Sequence, residues 1–158
     1  MILARARTLV GKSIITKGRI MSQTIPEGFS PHFRKSPLTD PWEPLYSRLL
    51  EDRIVLGLRA DERHCNSRGI VHGGLITALA DNAMGLSCVA AYKAKGFDTP
   101  PLVTITLHVD FLRAGSAGQW IEFSTTAIKT GAKIAAAQGV VTADGRDSAY
   151  CSATFSAA

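Results

Sequence analysis

The 158-residue chain has little of what usually marks a site early. It holds three cysteines, Cys65, Cys88 and Cys151, an odd number without CxxC spacing, which argues against both a disulfide framework and a zinc site. A reducing compartment fits all three, and a cytoplasmic location is the expectation. His32, His64, His72 and His108 share no ligand spacing, so no metal is expected, and no other cofactor is expected either. Internal repeats and low-complexity linkers are absent. The longest charge-free runs, Gly69–Ala80 and Asn82–Tyr92, fall short of the roughly 20 apolar residues that cross a bilayer, so no membrane partner is expected.

The formal charge of +5 is likewise less than it looks. Arg5, Arg7, Lys12, Lys17 and Arg19 stand in residues 1–20 with no acid among them, and they account for the whole excess. From Met21 onward thirteen basic residues face thirteen acidic ones, so a basic groove for nucleic acid is not expected. The leader lacks an uninterrupted apolar segment and a small-residue cleavage site. It reads as a disordered or loosely attached arm; a targeting peptide, or upstream sequence before a start at Met21, are the alternatives.

What is present is the profile of one globular domain, 46% hydrophobic and 20% charged. Residues 21–50 are rich in proline and aromatics, from Pro26 and Phe29 to Pro44 and Tyr46, which forbids long helix or central strand. They read as an extended arm packing its aromatics on residues 51–158, with one helical turn near Pro44–Leu50. A first strand is predicted over Arg53–Arg59. Gly73–Tyr92 is apolar on nearly every side and predicts a helix buried all round. Strands follow at Val103–Phe111, Gln119–Lys129, Lys133–Thr142 and Ser148–Phe155, the last two joined by an Asp144-Gly145 hairpin turn. In the first of these, Val103, Ile105, Leu107, Val109 and Phe111 occupy one face by strict alternation; in the second, Ile121, Phe123, Thr125 and Ala127 do. One long helix followed by four strands means α+β, an antiparallel sheet wrapped around a buried helix.

Asp81 is the only charged side chain between Arg68 and Lys93. A carboxylate within an apolar helix needs partners, such as Asn82 or Ser87, or a task. Just before the helix stands Asn66-Ser67-Arg68-Gly69-Ile70-Val71-His72-Gly73-Gly74. Glycines at a helix start let a ligand approach free N–H groups that favour an oxyanion, although a tight turn alone would also use them.

The constellation Asn66…Gly69…His72-Gly73-Gly74…Asp81 resembles the signature of the phenylacetate-pathway and 4-hydroxybenzoyl-CoA type thioesterases of the hot-dog superfamily. The likeness runs from about Arg53 to the C-terminus. It implies hydrolysis of an acyl-CoA, with the Gly73 N–H on the thioester oxygen and Asp81 as general base or nucleophile. Asn66 would hold water or the thioester, His72 would shape the loop, and Thr104 would position Asp81 and water. Gly74 and Leu75 would line the substrate site, and Lys129 and Lys133 would meet the coenzyme A phosphates. Asn66 fits an Asx turn equally, Thr104 a plain strand position, and the two lysines a solvated surface pair.

Gly73 and Asp81 lie eight residues, or about 12 Å, apart along one helix. To act on one thioester, Asp81 must therefore come from a partner subunit. The expectation is an obligate homodimer with composite sites, to which the family resemblance adds assembly as a dimer of dimers. A non-catalytic acyl-CoA binder and a hot-dog hydratase or dehydratase are the competing readings.

Overall fold

The computed structural model describes residues 24–98 and 101–157; the basic leader lies outside them. The chain forms β1 (Ser30–Pro31), β2 (Tyr46–Leu49), β3 (Ile54–Arg59), α1 (Gly73–Ala94), β4 (Leu102–Phe111), β5 (Trp120–Thr130), β6 (Ile134–Ala143) and β7 (Arg146–Ala157). The strands make one antiparallel sheet in the order β1-β2-β3-β5-β6-β7-β4, and α1 packs on its inner face. This is the hot-dog arrangement that the sequence implied. At the β6–β7 hairpin both Asp144 and Gly145 have positive φ, as a tight Asp-Gly turn requires.

Residues 44–50 differ from expectation. The helical turn lies earlier, at Asp40–Trp42, and Tyr46–Leu49 is a strand paired with β3. Ser47 is buried there, so the segment belongs to the sheet rather than lying on it. Its neighbourhood is organised by Trp120, whose ring meets Phe29 at 5.0 Å and Tyr46 at 5.8 Å, with the Arg59 guanidinium 5.5 Å above it. Gly57 makes this possible, because a Cβ on that residue would overlap the indole.

The helix is not buried all round. Leu75, Ile76, Leu79, Ala80, Ala83 and Met84 face the sheet, while Gly74, Thr77, Ala78, Asp81, Asn82 and Gly85 form a stripe left partly open. The stripe follows the i, i+3, i+4, i+7 spacing of one helix face. Small side chains hid it from a hydropathy reading. α1 is also long and apolar enough, at mean hydropathy 1.3, to cross a membrane on length and composition, contrary to the expectation that no stretch approached this. Asp81 interrupts the run without lowering its mean enough. The helix lies against the sheet, with 56% of that stretch buried.

Strict alternation in β4 and β5 also gives way. The register of β4 against β7 skips Ile105, so Thr104 pairs with Phe155 and Thr106 with Thr154. This bulge reverses the phase: Leu107, Val109 and Phe111 stay on the helix side, but Thr104 replaces Val103 there. A second irregularity between Thr125 and Ala127 moves Ala127 off the inner face and puts Ile128 on it.

Ser87 pins the helix to the sheet. Its hydroxyl accepts from the Ile54 N–H at 3.1 Å, donates to the Ile54 carbonyl at 3.0 Å and accepts from Thr125 Oγ1 at 3.0 Å. All three residues are buried. Ser87→Ala leaves the Ile54 amide without its acceptor and is expected to cost about 1–3 kcal/mol. Chemical denaturation should show a lowered midpoint with an unchanged slope.

His32, in the arm, is 3% exposed, and neither ring nitrogen has a partner among the described residues. Burial pushes its pKa below 6.5, opposed by Glu43 and assisted by Lys35 and Arg34. The unfolded chain then binds a proton that the folded arm rejects. The stabilisation is therefore present above pH 6.5 and lost as the pH falls through the depressed folded value. Melting temperatures from pH 7.5 to 5.5 should fall, and the slope should be shallower in His32→Leu.

Candidate active site

The loop before α1 is built by backbone bonding. Cys65 bridges Val71, the Asn66 N–H donates to the Ile70 carbonyl, and Gly69 closes the turn at φ 72°. Asn66 Oδ1 accepts from the Arg68 N–H at 2.9 Å, so the residue makes an Asx turn and keeps its Nδ2 donors free for another role. His72 caps the helix: its Nδ1 accepts from the Gly74 N–H at 2.9 Å and its carbonyl takes the Ile76 N–H. The N–H groups of Gly73 and Leu75 meet no acceptor among the described residues. Of the helix's first donors, then, the capping histidine occupies that of Gly74 and leaves that of Gly73 for a ligand. Leu75 turns its side chain into the core.

Sequence reasoning missed the residue that holds this loop. His64 is 2% exposed within a charged segment. Its Nδ1 accepts from the Asp61 N–H at 2.9 Å, and Nε2 lies 3.0 Å from the Trp42 carbonyl, which fixes the proton on Nε2. The His64 carbonyl takes the His72 N–H at 2.9 Å. The arm is thereby linked, through one buried ring, to the residue that caps α1. The only signal in the sequence was Asp61 three residues ahead, the spacing of a capping box.

Two turns into the helix, Asp81 stands on the open stripe. Its Oδ1 accepts from Thr104 Oγ1 at 2.8 Å, and Oδ2 has no partner among the described residues. Ser87, one of the partners considered for Asp81, is engaged with Ile54 and Thr125 instead. The β4 bulge is what turns Thr104 towards the carboxylate. At the other end of β4, Phe111 brings its ring tip against Gly73, with Cζ 3.2 Å from where a Cβ would stand.

Lys129 and Lys133 are elsewhere. The Thr130–Lys133 hairpin sits at the C-terminal end of α1, where Tyr92 Oη donates to the Gly131 carbonyl at 2.7 Å and Lys95 Nζ to Thr130 at 2.6 Å. A single chain does not bring these lysines to Gly73. A cavity of about 390 Å³ beside Lys129, lined by Thr106, Gln138, Ser152 and Thr154, is on the sheet face turned away from α1.

Cysteine chemistry is not available. Burial pushes Cys88 and Cys151 up to about 11, and raises Cys65 as well, so the thiols stay protonated near neutral pH. Among the described residues no cluster of His, Cys, Asp and Glu could hold a metal ion. The chemically equipped groups are a free amide at a helix start and a carboxylate with one oriented oxygen.

Known proteins share this framework. Residues 68–150 match the family model described as the thioesterase superfamily. A protein of Pseudomonas aeruginosa, PA0474, provisionally named as an esterase, is 41% identical over 112 residues, covering 70% of this chain and 81% of its own. The phenylacetic acid degradation protein PaaI of Thermus thermophilus, solved as a point mutant, superposes with TM-score 0.65 at 23% identity, over 78% of this chain and 100% of that one. A hypothetical thioesterase of Streptococcus pneumoniae, in a structure with coenzyme A, gives TM-score 0.63 at 20% identity over 72% and 85%. Spanning the stretch from the loop before α1 into β7, the family match and the identity to the P. aeruginosa protein establish that the chain belongs to the thioesterase superfamily.

Proposed function

We propose that the chain hydrolyses acyl-CoA thioesters to free acid and coenzyme A, at sites shared between two copies in a homodimer. The observation that carries this reading is the Asp81 carboxylate, held through one oxygen by Thr104 on an otherwise small-residue stripe of α1. The coenzyme A present with the S. pneumoniae relative supports the ligand class.

The dimer rests on β4. It ends the sheet, so one edge of a ten-residue strand carries unpaired backbone groups. Proteins blunt such an edge with lysine, proline or short length, and β4 has none of these; its one acid, Asp110, stands near the end. Val103 and Ile105 on it are 56% and 53% exposed. A second β4 pairing antiparallel would cover the edge and bring the open stripes of two helices together. Asp81 of one copy would then approach Gly73 of the other, since the two are about 12 Å apart along a single helix.

In such a site the Gly73 N–H donates to the thioester oxygen, and charge develops there against the positive end of α1. Asp81 Oδ2, free while Thr104 orients Oδ1, takes a proton from water as the water oxygen bonds to the carbonyl carbon. The tetrahedral intermediate collapses, the C–S bond breaks, and the proton passes to the departing sulfur. His72 keeps Gly74 occupied, so the Gly73 N–H is the first free donor that the oxyanion meets. The three free thiols fit a reducing, cytoplasmic setting.

Thiol release from a panel of acyl-CoAs tests the reaction. Asp81→Asn should lose about 100-fold or more in kcat, roughly 2.7 kcal/mol in barrier. Thr104→Val should lose less, about tenfold, because it loosens the base without removing it. Binding of acyl-CoA without thiol release would favour a non-catalytic binder, and a change in enoyl absorbance without thiol would favour a hydratase.

The shared site has its own test. Gly73→Pro removes the oxyanion donor at the first helical position, where the backbone tolerates proline and the added Cβ displaces the Phe111 ring tip by a few tenths of an ångström. A purified heterodimer of Gly73→Pro with Asp81→Asn should regain about half of wild-type activity, since one of its two sites is intact. No recovery would mean that Asp81 serves its own chain.

A further inference from the structure

We infer that Phe111 sets which acyl groups are accepted, by filtering bulk on the carbon next to the carbonyl; this rests on the function proposed above. The observation is the end-on approach of its ring to Gly73. A Cβ on Gly73 would lie 3.2 Å from Phe111 Cζ, 3.5 Å from Cε1 and 3.8 Å from Cε2. Cε1 and Cε2 thus stand at van der Waals distance from a point one bond off the Gly73 α-carbon, and Cζ stands closer than that. The same residue's N–H has no acceptor among the described residues. An oxygen bonded to that N–H at about 2.9 Å brings its carbonyl carbon, and the substituents on it, alongside the ring tip.

In the single chain the rest of the ring is open, on the side where a substrate bonded to Gly73 would lie. Phe111 is 55% exposed although its tip is in contact, and it stands on the helix side of β4 in line with Leu107 and Val109. Its backbone is fixed by pairing with Ala149, and Leu112 and Arg113 both donate to the Ser148 carbonyl just beyond. The ring is therefore mounted on a paired strand rather than a loop. An aromatic ring also presents its positive edge at the tip, which suits a neighbour that gains negative charge.

The acyl groups that fit are those with an unbranched CH₂ beside the carbonyl, such as phenylacetyl or straight-chain acyl. Those crowded at that carbon, such as benzoyl or 2-methyl-branched acyl, meet the ring. The experiment compares kcat/KM for phenylacetyl-CoA and benzoyl-CoA, and for hexanoyl-CoA and 2-methylhexanoyl-CoA, in wild type, Phe111→Leu and Phe111→Ala. Trimming the ring to alanine should raise the crowded-to-unbranched ratio by about tenfold or more, as expected when a pocket gains a few methylenes of room. Phe111→Leu, which preserves an apolar side chain in β4, should move the ratio in the same direction by less. Melting temperature and oligomeric state of each variant are measured alongside; a loss of either lowers all four rates together and leaves the ratios in place. Ratios unchanged in both variants, with Asp81→Asn still inactive, would overturn the assignment of Phe111 while leaving the hydrolase reading intact. Wild-type protein without thiol release on any ester overturns that reading itself.

Discussion

The register between α1 and the sheet is the constraint on which everything else depends, and Ser87 sets it. An apolar helix on an apolar sheet is free to slide or rotate by small amounts, because dispersion and burial are non-directional. A hydroxyl bonded to both the N–H and the carbonyl of Ile54, and to Thr125, removes that freedom. With Ser87 fixed, Asp81 is placed about 9 Å back along the axis, towards Thr104, and Gly73 about 12 Å further, beneath Phe111. A directional polar contact in the core therefore acts on groups at the surface.

How far the sequence revealed this varies by element. Strand and helix positions followed from period and punctuation, and the Asp144-Gly145 turn from its dipeptide. Asp81 and Gly73 were legible as candidates because a lone acid in an apolar run and a glycine pair at a helix start are chemically conspicuous, whereas Thr104 was a candidate only through the family resemblance. The bulge at Ile105 was not. Val103 to Phe111 alternates without a flaw, and a skipped residue shows only when β7 is laid against it. His64 was hidden by the opposite effect, a buried ring inside a run of charges, bonded to the Trp42 carbonyl in the distant arm. Both misses are of tertiary origin, where pairing rather than local pattern decides which way a side chain points.

The arm's strand shows the same rule at the other edge. Pro41 and Pro44 argue against regular structure, yet Tyr46–Leu49 pairs with β3 because both prolines lie before it. Trp120 then binds the arm to the domain by lying across Gly57, with Phe29, Tyr46 and Arg59 around it. Through the Trp42 carbonyl and His64, the same arm steadies the turn that ends in His72. Residues remote in sequence from Gly73 thus determine where its amide points.

Separating the amide and the acid along one helix has an electrostatic logic. A carboxylate in the first turn of α1 would take the free N–H groups for itself, as a capping acid does, and cancel the positive end that an oxyanion needs. Eight residues on, Asp81 is beyond the first turn, where the macrodipole has largely faded, and its carboxylate is held by Thr104 on the open stripe. The cost is that one chain cannot present both groups to a single carbonyl. The antiparallel partner proposed above would remove that difficulty without giving up the separation, because it would lay the middle of one helix beside the start of the other. In the homodimer proposed above, the unprotected edge of β4 and the small residues around Asp81 would meet two requirements of the same solution: one would let the copies pair, and the other would let the helices approach closely enough to share a substrate.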